Sequence, residues 1–171
     1  TRPNSESKRL LPDMSDLVLL LGSNMGDRKA MFRQAEKLLS FQFGKPAQSS
    51  SLYETAAWGN TEQDEFLNKV LIFNTSLSSD SCLSQTLAIE EKLGRIRDQK
   101  WGPRPIDIDL LFLGVEIVKT DRLELPHPAL HLRRFTLEPL NELIPEFRHP
   151  VLNKTIRELL AECPDHLPVK R

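Results

Sequence analysis

An α+β sandwich is the fold class that the sequence predicts, and three observations carry that prediction. Residues 17–21 form a short continuous apolar run, as in a buried strand. Two stretches with helical spacing start near Asp27 and Ser79, and two segments, 66–77 and 106–110, alternate with the period of two that belongs to strands. In chain order from 17 to 112 these give strand, helix, strand, strand, helix, strand. That is the split β-α-β order of a ferredoxin-like βαββαβ sandwich, with a C-terminal hairpin strand and helices added after it.

The apolar run 17–21 ends in Gly22, Ser23 and Asn24, so the first strand runs into a tight turn. Asp27 can cap a helix with Met31, Ala35, Leu38 and Leu39 at helical spacing, which Gly44 and Pro46 stop. Residues 49–54 read as the second strand, and 55–60 break the period as a loop. The long strand 66–77 places Phe66 and Asn68 on one face. Ser79 or Asp80 can cap the next helix, with Leu83, Leu87, Glu90 and Leu93 in register and Gly94 at its end. After the strand that starts at Ile106, Gly114 supplies a turn and 115–118 the return strand of a hairpin. Residues 129–140 and 155–161 read as helices, and the tail from Pro164 as ragged.

The 171 residues, 39% hydrophobic and 27% charged, fit a single domain over 16–171. Residues 1–15 are polar and aperiodic, which suggests a flexible leader or an expression remnant. A net charge of -1 supplies no general basic field, so nucleic acid is not an expected partner and any phosphate binding must be local. Two cysteines, Cys82 and Cys163, have no metal-ligand spacing and make no disulfide framework, which suits a reducing compartment. No apolar run approaches the ~20 residues of a membrane span. A cytoplasmic monomer without membrane partners is the expectation.

Chemistry concentrates at 101–114, where Asp107 and Asp109 fall on one face of a strand and Ile106, Ile108 and Leu110 on the other. Residues two apart are about 6.6 Å apart along a strand, so both carboxylates can converge on shared cations. Drawn to about 4 Å they would repel by roughly 4 kcal/mol at an effective dielectric of 20, which something positive should offset. Pro105 pushes Arg104 into an extended conformation just ahead of them. Hard oxygen donors of this kind suit Mg²⁺ carried by substrate phosphates. A bare Asp-x-Asp is more often a half-exposed strand with its acids in water, and the basic residues Arg95, Arg97 and Lys100 past a helix end equally well complement its dipole. His127, held between two prolines, reads as a positioned group, although a lone histidine is more often surface decoration.

The full string Lys-Trp-Gly-Pro-Arg-Pro-Ile-Asp-Ile-Asp-Leu-Leu, residues 100–111, resembles the signature of the 6-hydroxymethyl-7,8-dihydropterin pyrophosphokinases, folate-pathway enzymes that move a pyrophosphoryl group from ATP to a pterin alcohol. The run Leu-Gly-Ser-Asn-x-Gly-Asp at 21–27 matches the opening of the same family, and the resemblance extends from residue 17 to about 144. It implies that Asp107 and Asp109 bind two Mg²⁺ ions that bridge the ATP phosphates and the pterin hydroxyl. It further implies ATP contacts for Glu90, Arg97, Arg104, His127 and Arg133. Arg95, Arg97 and Arg133 would stabilise charge during transfer, beside the acids. The pterin is expected between Phe66 and Phe135, with Asn68 and Thr55 reading its polar edges. Two departures stand out: Ala56 and Ala57 where many relatives carry proline, and Phe66 where some have tyrosine.

Other classes fit less well. Nucleotidyl transfer also pairs a Gly-Ser turn with Asp-x-Asp, but there the acids follow the turn closely, whereas Ser23 and Asp107 are far apart. A ferredoxin-like small-ligand or RNA-binding domain without catalysis would share the topology. For RNA it would want a basic, aromatic-studded sheet, and only 6% of these residues are aromatic.

Overall fold

Residues 14–24, 26–55, 65–94 and 105–171 are described by a computed structural model. In chain order the elements are β1 (Ser15–Ser23), α1 (Arg28–Phe43), β2 (Gln48–Ser49), β3 (Tyr53–Thr55), β4 (Phe66–Thr75), α2 (Ser79–Lys92), β5 (Asp107–Leu113), β6 (Val118–Lys119), β7 (Glu124–Leu125), a 3-10 turn (Leu130–Leu132), α3 (Arg134–Leu143), α4 (Ile156–Ala161) and β8 (Val169–Lys170). The expected βαββαβ order from β1 to β5 is present. Residues 1–13 of the expected leader lie outside the described residues, and β1 already begins at Ser15.

Six strands form one sheet in the order β5, β1, β4, β3, β8, with β2 also paired to β4. β1 is apolar from Leu17 to Leu21 because it lies between two antiparallel neighbours with both its faces covered. Leu19, Leu21, Leu71, Phe73, Ile108 and Leu110 meet Phe32, Ala35 and Leu39 of α1 and Cys82 and Ile89 of α2 in one core. Val18, Leu20, Val70, Leu111 and Phe112 meet Leu137 and Leu140 of α3 and Ile156 and Leu159 of α4 in a second core on the opposite face. Helices therefore cover both faces, and not one face alone as the element order suggests.

The register between β1 and β5 shifts once. Val18 pairs with Phe112 and Leu19 with Leu110, so Leu111 is an extra residue, and Leu111 and Phe112 both enter the second core. Upstream of that bulge the alternation is regular.

Local chemistry sets the element ends. The Asp27 carboxylate accepts the Ala30 N–H at 3.1 Å, as expected of the cap of α1. The cap of α2 is Ser78, one residue before the expected position, and its hydroxyl accepts the Ser81 N–H at 3.2 Å. The buried stripe of α2 is Cys82, Thr86, Ile89 and Glu90, while Leu87 faces outward. The expected strand 49–54 is split into β2 and β3, and between them the Ser50 hydroxyl, in place of a backbone carbonyl, takes the Val70 N–H at 2.9 Å. Val118 does not return along β5 in a hairpin. It pairs with Leu125 in a separate two-stranded ribbon. The expected helix over 129–140 becomes the 3-10 turn followed by α3. The segment after Pro164 is not ragged, since Val169 and Lys170 pair with Thr55 and Glu54 as β8.

Candidate active site

β5 forms one border of the sheet, and it carries both acids. Asp107 is paired across β1 with Gly22, and Asp109 with Leu20, a residue of the second core, while Ile108 and Leu110 point into the first. The two carboxylates thus share the face that α3 packs on. Asp107 is exposed and Asp109 half-buried.

The strand registers extend Asp107 into a row. Gly22 pairs with Asn68 on its other side, and Asn68 pairs with Tyr53, so Asp107, Gly22, Asn68 and Tyr53 lie abreast on β5, β1, β4 and β3. Two strand spacings of about 4.8 Å place Asn68 roughly 10 Å from Asp107. A Cβ at Gly22 would meet the Asn68 Oδ1 at 2.9 Å, so a larger residue there would displace that amide. Phe66, two residues before Asn68 and on the same face, pairs with Thr55 and is 37% exposed. The Thr55 side chain is buried, and its hydroxyl has no hydrogen-bond partner. An orphaned buried hydroxyl is uncommon, and it leaves a donor and an acceptor for something else to use.

α3 brings Phe135 and Arg133 to this face. The helix packs on β3 and β4, and Phe135 is partly buried against the second core. Arg133 stands at the N-cap, its guanidinium carbon 5.8 Å from the centre of the Phe135 ring, a cation–π contact.

His127 reaches the acids from the loop after β7. Its backbone N–H donates to the Leu111 carbonyl at 3.0 Å, and its Nδ1 accepts the Ala129 N–H at 3.1 Å. Burial lowers its pKa, outweighing the upward pull of Asp109 and Glu124, while Arg133 pushes the same way as burial. The neutral ring, with Nδ1 already an acceptor, carries its proton on Nε2 and can donate from there. Those same couplings make Asp109, His127 and Arg133 electrostatic neighbours.

Glu90 is buried, and its Oε2 accepts the Ile108 N–H at 3.0 Å, so it closes the outer side of β5. A cleft of about 400 Å³ runs along this border, lined by Glu90, Asp107, Asp109, His127, Arg122 and Glu124 among others. Arg122 was not expected there. It belongs to the turn between β6 and β7 and is held by Asp80 of α2 at 2.8 Å, a tertiary placement with no local sequence signal. Arg95, Arg97 and Arg104, expected beside the acids, lie outside the described residues, as do Ala56 and Ala57.

Among the described residues no group of three or more His, Cys, Asp or Glu side chains could enclose a metal ion. Two carboxylates on an open cleft nevertheless fit Mg²⁺, which prefers one or two protein carboxylates and completes its six positions with water and substrate phosphates.

A family model described as 7,8-dihydro-6-hydroxymethylpterin-pyrophosphokinase matches residues 18–145. The chain is 40% identical over 149 residues to the 2-amino-4-hydroxy-6-hydroxymethyldihydropteridine pyrophosphokinase of Aquifex aeolicus, covering 87% of this chain and 92% of that one. It is 41% identical over 150 residues to the enzyme of that name from Methylorubrum extorquens, covering 87% and 94%. Among solved structures, wild-type Plasmodium falciparum HPPK-DHPS superposes with a TM-score of 0.68 at 19% identity, covering 88% of this chain and 45% of that one. This chain spans under half of that longer protein, and the likeness carries the fold.

Proposed function

The chain belongs to the 7,8-dihydro-6-hydroxymethylpterin-pyrophosphokinase family, whose ATP-dependent diphosphotransferase activity passes pyrophosphate from ATP to 6-hydroxymethyl-7,8-dihydropterin in folate biosynthesis and releases AMP, and from that premise we propose how its residues divide the work. The observation that carries the proposal is the position of Asp107 and Asp109, side by side on one sheet face and lining a cleft, with Asp107 in strand register with Asn68.

Thr55, Phe66, Asn68 and Phe135 hold the pterin. Phe66 and Phe135 supply flat apolar surface, Asn68 an amide for the polar edge, and the unpartnered Thr55 hydroxyl a second contact there. The ring system then lies over β1 and β4, with its hydroxymethyl arm directed at β5. Gly22 leaves the space between. ATP lies along the β5 border, where Asp107 and Asp109 would hold two Mg²⁺ ions. When bound, such ions neutralise the phosphates and favour ionisation of the attacking hydroxyl. His127 donates from Nε2 to a phosphate oxygen, and Arg133 adds positive charge beside it. Arg95, Arg97 and Arg104 complete the phosphate contacts in this reading, and Glu90 fixes the strand that presents the acids. The reaction is in-line attack of the pterin hydroxyl oxygen on the β-phosphorus, with AMP as the leaving group. No described residue acts as a strong general base, so positioning carries the rate.

The same reading makes the protein a cytoplasmic monomer with one domain over 16–171, acting on small molecules and not on nucleic acid or membrane. The free, buried thiols of Cys82 and Cys163 support a reducing compartment, and no helix among the described residues is long and apolar enough to cross a membrane.

The test is AMP formation from ATP and Mg²⁺ with and without the hydroxymethyl pterin. Pterin-dependent AMP is expected, and Asp107→Ala or Asp109→Ala should lower kcat by about a thousandfold while thermal unfolding remains cooperative. Pyrophosphate as the product would point to nucleotidyl transfer instead. Either alanine variant turning over at the parent rate would remove the metal assignment.

A further inference from the structure

Phe135 and Thr55 belong to elements far apart in the chain, and the segment 165–171 is bonded to both. At one end, the Asp165 Oδ2 accepts the N–H of Arg134 at 3.1 Å, and the Asp165 carbonyl accepts the Arg134 Nε–H at 2.8 Å. Arg134 opens α3 and immediately precedes Phe135, and no side chain within the helix caps that end. The other carboxylate oxygen of Asp165 accepts the Leu167 N–H at 2.9 Å and turns the chain toward β8. There Val169 pairs with Thr55 and Lys170 with Glu54.

A third tie lies beyond β8. The Arg171 guanidinium meets Glu142 of α3 at 3.1 Å and donates to the Ser51 hydroxyl at 3.0 Å. Glu142 also accepts from the Tyr53 hydroxyl at 2.6 Å and from the Ser51 N–H at 3.1 Å. Burial would raise the Glu142 carboxyl, but the bonds from Tyr53 and Ser51 outweigh it and hold its pKa low. The far end of α3 is thus bound to β3 through an ionised carboxylate that the tail helps to neutralise.

We propose that residues 165–171 are a positioning clamp for the pterin face, fixing α3 and β3, and hence Phe135 and Thr55, at the separation the substrate needs. The proposal rests on the pterin reading above. None of these seven residues is buried, and none belongs to either apolar core. The bonds named above go to α3, to β3 and to Ser51 just ahead of β3, and not to β5, which carries the acids. Removing them therefore changes where two walls stand without emptying a core.

The experiment compares the parent, a chain ending at Pro164, and Asp165→Ala. For each, binding of the hydroxymethyl pterin is titrated by its fluorescence, and KM for pterin and for ATP are measured by AMP formation, with thermal unfolding recorded alongside. Truncation is expected to weaken pterin binding and raise its KM about tenfold while KM for ATP stays within twofold. Asp165→Ala, which removes the tie at Arg134 and leaves the chain complete, should move pterin binding in the same direction and by less. A parent that binds no pterin overturns both the function and the clamp. A parent that binds it, with a folded truncated chain whose pterin affinity is unchanged or whose two KM values rise equally, overturns the clamp alone.

Discussion

Gly22 pairs with Asn68 across β1 and β4, and its missing side chain leaves room for the Asn68 amide. In a strand, alanine would normally be favoured over glycine by roughly 0.5–1 kcal/mol. Here its Cβ would come within 2.9 Å of Oδ1, and the amide would have to swing away. Gly22→Ala should therefore leave thermal stability nearly unchanged while raising the pterin KM about tenfold and leaving the ATP KM alone. Steady-state kinetics with each substrate varied in turn would decide it, and an unchanged pterin KM would remove Asn68 from the pterin site. Asp107 and Asn68 were legible in the sequence because a motif and a period of two mark them, whereas Gly22 was read as the turn after the first strand and lies inside β1, and Tyr53 carried no signal of its own. The lateral alignment of the row was not legible: only strand registers put Asp107, Gly22, Asn68 and Tyr53 abreast. Nor did anything near Thr55 announce that its hydroxyl would be left without a partner.

β5 and α2 share a core, and beside it a hydrogen bond joins them. The outward N–H of Ile108 would be an unpaired border group, and the Glu90 carboxylate satisfies it. Glu90→Ala removes that acceptor and should lower unfolding free energy by about 2 kcal/mol, whereas Glu90→Gln keeps an oxygen in reach and should lose far less. Denaturant titration of the two variants separates them, and equal stability would show that the bond at Ile108 is dispensable. The register expected for α2 holds at Leu83, Glu90 and Leu93 and fails at Leu87, while Cys82, Thr86 and Ile89 join the buried stripe. A glutamate and a threonine are inside because each has a partner, Thr86 donating to the Leu83 carbonyl at 3.0 Å, and Leu87 is outside. Between β2 and β3 the Ser50 hydroxyl likewise has a backbone partner. Polar residues that find backbone partners overrule the hydrophobic pattern, and the pattern alone does not say which will do so.

Across the whole molecule, α3, α4 and the C-terminal segment form a layer that the βαββαβ order does not contain. Its two helices were legible at 129–140 and 155–161, but strand pairs of two residues, β6 with β7 and β8 with β3, leave no periodic signal, so these were read as a hairpin along β5 and a ragged tail. His149 belongs to this layer. Burial and the neighbouring His131 lower its pKa to about 4 from 6.5, and its Nδ1 accepts the N–H groups of Val151 and Leu152. Between those two values the unfolded chain takes up a proton that the native ring refuses, so stability is unaffected above the higher value and falls as the pH drops below it, by about 3 kcal/mol at the lower end. His127, also lowered by burial, acts in the same sense. His149→Asn keeps an acceptor for the two N–H groups and should flatten the pH dependence by one proton, measurable by denaturation at several pH values between 4 and 7.5. A parallel curve would assign the acid sensitivity elsewhere. The bulge in β5 has a longer reach than its single residue implies. Leu111 is surplus to the pairing with β1, yet its carbonyl is the one that anchors the His127 backbone, so one inserted leucine sets the phase between the acidic ribbon and the imidazole opposite. A chain shortened by that leucine could still zip its strands and present both aspartates, but its histidine would have lost its mooring.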